Sequence, residues 1–348
     1  MIPSDPGSTE PVEPIEPREP GSPSSAPARP GARTFTIEGR AAPGLFVVGW
    51  LATLVGFVAI FVALLAGETV ARPIILILGL VLLSVGLIAG VGSQAIERRA
   101  RGTSAYSGPS PFFVFAASIP LTILGGAGVG LGLSALGISV SSPVAAVAAV
   151  SIQALIYVGL LRLLVVDAGA LRWSEMGVRR FDRRALRELA GGALWAGPVI
   201  LATAVLAALI TQLIPVSPVS PLPPTGTTTG FLFNLIAGAV IAPIGEEVFF
   251  RAFAMTAWFR DIGERRTLVR AALFFAAAHV LTIAGSTAEQ AVGLAIVGFA
   301  SRLPVAFVLG WLFLKRGSIW APIGLHATFN AILLTLGEIA ARSGVVPG

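Results

Sequence analysis

From Leu45 onward, long apolar stretches alternate with short polar breaks. A stretch of about 20 apolar residues is long enough to cross a bilayer as a helix. The pattern predicts nine such segments, at about 45–66, 74–94, 112–137, 143–166, 189–214, 230–257, 267–286, 292–314 and 319–340. The expected fold is therefore all-α, a polytopic membrane protein of about nine transmembrane helices.

The breaks carry an independent signal. Arg98, Arg99 and Arg101 follow the second segment, six arginines run from Arg172 to Arg187 after the fourth, Arg260, Arg265, Arg266 and Arg270 follow the sixth, and Lys315 and Arg316 follow the eighth. The four other breaks hold one basic residue, Arg72. Short loops rich in Lys and Arg stay on the cytoplasmic side. The alternation thus predicts a multi-pass protein of the cell membrane with its N-terminus cytoplasmic and its carboxyl end outside. Splitting or merging one segment would break the alternation.

Before the first segment the chain has a different character. Nine prolines fall between Pro3 and Pro30, and Glu-Pro recurs at Glu10, Glu13, Glu16 and Glu19. This composition favours extended polyproline II and cannot collapse into a core. Residues 1–42 are expected to be a disordered cytoplasmic tail, 43–168 a four-helix membrane region, and 169–341 the core that carries the chemistry. Trp173 to Leu189 mixes arginines with apolar residues, as an amphipathic helix on the inner interface would. The uncharged stretch from Pro215 to Gly230, rich in proline, serine and threonine, suits an ordered outer loop or a cap.

Composition supports this picture. Of 348 residues, 55% are hydrophobic and 12% charged, with a mean hydropathy of +0.86. The charged share is about half that of a soluble domain, so the lipid bilayer is the solvent. A soluble globular enzyme is excluded. The net charge of +6 sits in the loop clusters, which report orientation, and no nucleic-acid partner is expected. There is no cysteine, which excludes thiol catalysis and disulfides.

Ionisable groups within the spans carry the functional signal, because a charge in the bilayer costs several kcal/mol. The sixth segment reads Ile241-Ala-Pro-Ile-Gly-Glu246-Glu247-Val-Phe-Phe-Arg251. Glu247 and Arg251 are four apart with the acid first, the favourable order for a helical ion pair. Glu246 points about 100° away around the helix, free to act as a base. The alternative is a structural ion pair with a second glutamate facing water. The chain has two histidines, both in apolar segments: His279, four residues after Phe275, and His326, four before Asn330. Counted from the inner boundary at 1.5 Å per residue, Glu246, His279 and His326 lie roughly 16, 18 and 11 Å deep, close enough in level to meet.

Glu-Glu-x-x-x-Arg, then Phe-x-x-x-His, then His-x-x-x-Asn, in that order on three helices, resembles the CAAX-protease and bacteriocin-processing (CPBP, Abi-like) family of intramembrane proteases. The stretch Gly317-Ser-Ile-Trp-Ala-Pro-Ile-Gly-Leu-His326 is similar to that family's last motif. The resemblance covers roughly Leu171 to Ala341. It implies intramembrane endopeptidase activity on a membrane-associated peptide or protein substrate. Carried over by position, Glu246 with His279 would activate water, His326 and Asn330 would bind the oxyanion, and Glu247 with Arg251 would set the electrostatics. No cofactor is favoured. Zinc stays open, because Glu246, His279 and His326 could supply three ligands, although no His-Glu-x-x-His is present. The competing readings are a non-proteolytic scaffold or immunity-type protein and a proton-coupled transporter. Arg302, two residues before Pro304 in the eighth segment, is expected to mark a broken helix or to contact the site or a substrate carboxylate.

Overall fold

A computed structural model describes residues 36–102, 104–216, 222–281 and 283–344. The tail expected to be disordered therefore lies largely outside the described residues. The chain divides into two units, Met1–Arg40 and Ala41–Gly348; the second holds all the helices described below.

Among the described residues the fold is all-helical, and eight helices are long and apolar enough to cross a membrane. They are α1 (Pro43–Leu65), α2 (Ala71–Arg101), α3 (Pro111–Ala135), α4 (Pro143–Val166), the broken run Arg183–Leu213, α7 (Thr228–Ile262), α9 (Ala288–Arg316) and α10 (Trp320–Arg342). The run Arg183–Leu213 consists of α5 (Arg183–Ala193) and α6 (Ala196–Leu213). The remaining helix, α8 (Glu264–Ala278), has 15 residues.

The starts and stops follow local chemistry. Prolines occupy the first turns of α1, α3 and α4, where a missing N–H costs nothing. Asp182, Thr227 and Thr287 cap α5, α7 and α9 with side-chain oxygens. Arg98, Arg99 and Arg101 fill the last turn of α2, where cations meet the negative end of the helix dipole.

Three sequence expectations need correction. The seventh segment, expected at 267–286, is helical only to Ala278; His279 to Leu281 form a turn, and no helix resumes until Ala288. Hydropathy registers the apolar residues there and not the helix end. At about 22 Å, α8 is shorter than the bilayer core. The interfacial helix expected over Trp173–Leu189 begins only at Arg183. Gly177, at φ 71°, turns the chain before it, and the Gly177 carbonyl accepts from the Ile319 amide at 3.2 Å. Finally, α9 is continuous through Pro304, so Arg302 marks no break.

The four arginine-rich connections lie together at one end of the helices. Tyr106 N donates to Asp261 at 2.9 Å, Arg260 pairs with Glu175 at 2.8 Å, Arg99 donates to the Ala168 carbonyl, and Trp320 Nε1 donates to the Arg179 carbonyl at 3.2 Å. Glu175, outside the spans, is held below the usual carboxylate range by the Arg172 amide and by Arg260. At the other end, the carboxylate of Glu338 accepts from Thr225 N at 2.8 Å and from Arg342 at 2.9 Å. Thus α8 and α9 form a hairpin entering from the arginine end, as a seventh and eighth segment should, despite the short length of α8.

Helix pairs meet through small residues, as expected where lipid gives no hydrophobic drive to association. Only Gly49, Gly56 and Ala63 of α1 are buried, on one stripe against α2, while Leu51, Leu54, Phe57 and Phe61 point outward. On α4, Ala154 packs against Gly245 of α7. The tightest crossing joins α5 to α10: a Cβ on Gly192 would lie 1.9 Å from the Ala321 carbonyl oxygen, and one on Gly324 2.1 Å from that of Leu189. Backbone cannot yield there. Gly324→Ala or Gly192→Ala should therefore cost about 1–3 kcal/mol and lower the melting temperature in detergent. Gly191→Ala, with nothing within 4 Å of its Cβ, should leave it unchanged or slightly raised.

Candidate active site

Helix α7 supplies the acids. Its course changes step twice, with π-helical stretches at Ile236–Ile241 and Glu247–Met255. Such stretches are rare and are often found at functional sites. All nine residues of the second are buried. Their aromatic members form a cluster with neighbouring helices: Phe249 meets Tyr157 of α4 at 4.7 Å, and Phe250 meets Phe274 and Phe275 of α8 at 5.2 Å each. Glu247 thus opens a tightly packed, buried stretch of the helix, and Glu246 directly precedes it.

Within that helix the two glutamates have different surroundings. Glu247 is wholly buried, and its Oε1 accepts from Arg251 at 3.0 Å and from His326 Nδ1 at 2.8 Å. Arg251, also buried, lies 4.1 Å above the Phe275 ring, a cation–π contact that helps hold a desolvated guanidinium. Glu246 faces elsewhere. Its Oε2 is 3.3 Å from His279 Nε2 and 3.8 Å from His326 Nε2, and it accepts no hydrogen bond from the described residues. Its side chain is 17% exposed and that of His279 25%, against 0% for Glu247. The more open side of the cluster therefore belongs to Glu246 and His279.

Proton positions follow from the partners. A carbonyl oxygen can only accept, so His279 Nδ1, 2.7 Å from the Phe275 carbonyl, carries a hydrogen. Glu247, already paired with Arg251, likewise makes His326 Nδ1 a donor. Both imidazoles are thus held with Nε2 turned toward Glu246, one by the end of α8 and the other by the buried acid. Phe275 spaces the assembly, with its ring 4.2 Å from that of His279 and 5.8 Å from that of His326.

The expected site residues therefore divide into groups. Glu246, Glu247, Arg251, His279 and His326 come together. Asn330 is directed to the backbone: its Nδ2 donates to the Gly238 carbonyl at 2.7 Å, within the first π-helical stretch of α7. His326 and Asn330 share a face of α10, yet one binds side chains and the other main chain. Among the described residues no three His, Asp or Glu side chains form a group that would hold a metal ion.

Sequence reasoning missed two polar residues on α4. Tyr157, 4% exposed, accepts from Gln153 Nε2 at 3.2 Å, and its hydroxyl lies within electrostatic reach of Glu246. Their spacing of four, on one face of an otherwise apolar helix, is the signal that could have found them.

This geometry makes a stability prediction. Arg251→Met alone leaves Glu247 buried without its counter-charge and should destabilise the protein by about 3–5 kcal/mol. Combining it with Glu247→Gln removes the orphaned charge and should recover much of that loss in a thermal melt. No recovery in the double variant would mean that the pair is not the electrostatic unit described.

Residues 228–332 match the family model described as Rce1-like, type II CAAX prenyl endopeptidase. No curated protein and no solved structure matches the chain. The matched stretch begins at the first residue of α7, takes in α8 and α9, and ends two residues past Asn330. Over residues 228–332, where the paired glutamates, Arg251, both histidines and Asn330 all lie, the chain is therefore similar to the Rce1-like type II CAAX prenyl endopeptidases.

Proposed function

We propose that this protein is an intramembrane endopeptidase that hydrolyses a peptide bond of a membrane-associated peptide or protein, using water activated by Glu246. The observation that carries the proposal is the contrast between the two glutamates. Glu247, wholly buried, commits its Oε1 to both Arg251 and His326 and has only its sealed Oε2 left over, whereas Glu246, on the more open side, has two imidazole Nε2 atoms beside its Oε2 and no cation bound to it. A carboxylate flanked by imidazoles and not by a permanent counter-charge, in an apolar interior, is suited to take a proton.

In this reading, water bound against Glu246 and His279 gives its proton to the carboxylate as it attacks the peptide carbonyl carbon. General-base assistance of this kind contributes about 10²–10⁴-fold. The carbonyl oxygen becomes an oxyanion. His326, held by Glu247, stabilises it as an imidazolium through Nε2–H, and Asn330 contributes the Nδ2 hydrogen not used on Gly238. Preorganised donors in a dry site are each worth several kcal/mol. The proton taken by Glu246 then passes to the leaving amine as the C–N bond breaks, so the enzyme returns to its starting state. Glu247 and Arg251 touch no reacting atom in this scheme and act by positioning His326.

The test is cleavage of a fluorogenic membrane-peptide library by the purified protein. Glu246→Ala should lose activity by at least about 10³-fold, and His279→Ala and His326→Ala by about 10²–10⁴-fold each. Activity should survive a chelator. Loss with chelator and restoration by zinc would overturn the metal-free half of the proposal, and unchanged activity in Glu246→Ala would overturn the site.

The orientation is also part of this reading, with the arginine-rich end at the cytoplasmic face. Because the chain has no cysteine, single cysteines can report it. On intact cells an impermeant maleimide should label Ser139→Cys, in the exposed α3–α4 connection, and should reach Ser174→Cys only after lysis.

A further inference from the structure

Arg302 is not used by the mechanism above. It lies in the middle of α9, within the span Ala288–Arg316, and is half-buried. Arg251, at the same kind of apolar depth, has a carboxylate and an aromatic face. Among the described residues no carboxylate comes within salt-bridge distance of Arg302; its Nη1 donates to the Gly298 carbonyl one turn back, at 2.8 Å. One intrahelical carbonyl satisfies one of five N–H donors and offsets none of the charge.

Its position is specific. The guanidinium lies over Gly298, where a Cβ would be 3.1 Å from Arg302 Nη1, 3.0 Å from Ile283 and 3.4 Å from Val280. Val280 directly follows His279, so Arg302 borders the turn that presents His279 to Glu246. The charge of Glu246 reaches it, but Glu246 is engaged at short range by the two histidines. A half-buried cation in a span, without a carboxylate partner, points to a function, and its charge calls for an anion. A guanidinium is matched in shape to a carboxylate, which it can hold through two parallel N–H···O bonds.

We propose that Arg302 is a substrate-binding residue that holds a carboxylate of the peptide next to the scissile bond. This rests on the endopeptidase reading and adds to it a charge requirement in the substrate. The carboxylate has two sources, the free carboxyl end of the chain or an Asp or Glu side chain near the bond. Either would place a negative group opposite Arg302 while the scissile carbonyl carbon faces the water held by Glu246. Glu246 itself is then partly shielded from the incoming charge by the two histidines.

The experiment uses the full-length protein in nanodiscs and three pools of N-acylated fluorogenic peptides. One pool ends in a free carboxylate, one in a carboxamide, and one in a carboxamide with Asp or Glu fixed in the last four positions. Cleavage is read as kcat and KM. Binding is read separately in the Glu246→Gln protein, where turnover is not required. At least one carboxylate-bearing pool should be preferred over the neutral pool by about ten- to a hundredfold, mainly in KM. Arg302→Gln should bring that ratio to near one, and Arg302→Lys should keep part of it. Which acidic pool is favoured identifies the source. A preference that persists in Arg302→Gln overturns the proposal, and so does equal binding of all three pools by the wild type. An Arg302-dependent preference in binding without any cleavage would leave the carboxylate site standing and remove the endopeptidase reading instead.

Discussion

The buried carboxylate of Glu247 is the interaction on which the rest of the site depends. An isolated charge in this interior would cost several kcal/mol, so both of its donors are obligatory. Arg251 neutralises it from within the same helix, and His326 reaches it from α10, 79 residues away in sequence. The acid thereby ties α10 to α7 and sets the rotation of the His326 ring. Glycine contacts do the same job on the other side of α10, where Gly324 and Leu189, Ala321 and Gly192 let two backbones touch. Small-residue packing and one shared carboxylate together hold the His326 ring with its Nε2 turned toward Glu246.

Adjacent glutamates with different surroundings follow from helical geometry. Neighbouring side chains on a helix diverge by roughly a quarter turn, so one can face the packed interior while the other faces the gap between α7, α8 and α10. The aromatic shell of Phe249, Phe250, Phe274 and Phe275 keeps the inner acid dry. The outer acid is left with two imidazoles whose far nitrogens are already committed. Tyr157 and Gln153 extend the polar rim onto α4, beyond the Rce1-like stretch.

Much of this was legible beforehand, for identifiable reasons. The apolar segments follow from the length a helix needs to cross lipid, and the grouping of the arginine loops at one end agrees with their alternation along the chain. The Glu247–Arg251 pair was readable because i to i+4 spacing is a local property. Other features were not readable because they depend on partners distant in sequence. Nothing in Asn330 announces that its amide will seek the Gly238 carbonyl, which lies where α7 changes step. The end of α8 at Ala278 was masked by apolar residues that continue through the turn. The continuity of α9 past Pro304 shows the converse: within a span, packing retains a helix that a proline in water would disturb.

The separation between Glu247 and His326 has a consequence for biogenesis. Synthesis runs from the amino end, so α7 emerges with its two acids and one arginine before α8 and α10, which bring the histidines to it, are in place. At that stage Glu247 has Arg251 alone, and Glu246 has no imidazole beside it. The cluster closes only when α10, the last helix among the described residues, packs against α5 and α7. The polar cluster is thus completed by contacts between helices distant in sequence, after the local Glu247–Arg251 pair of α7.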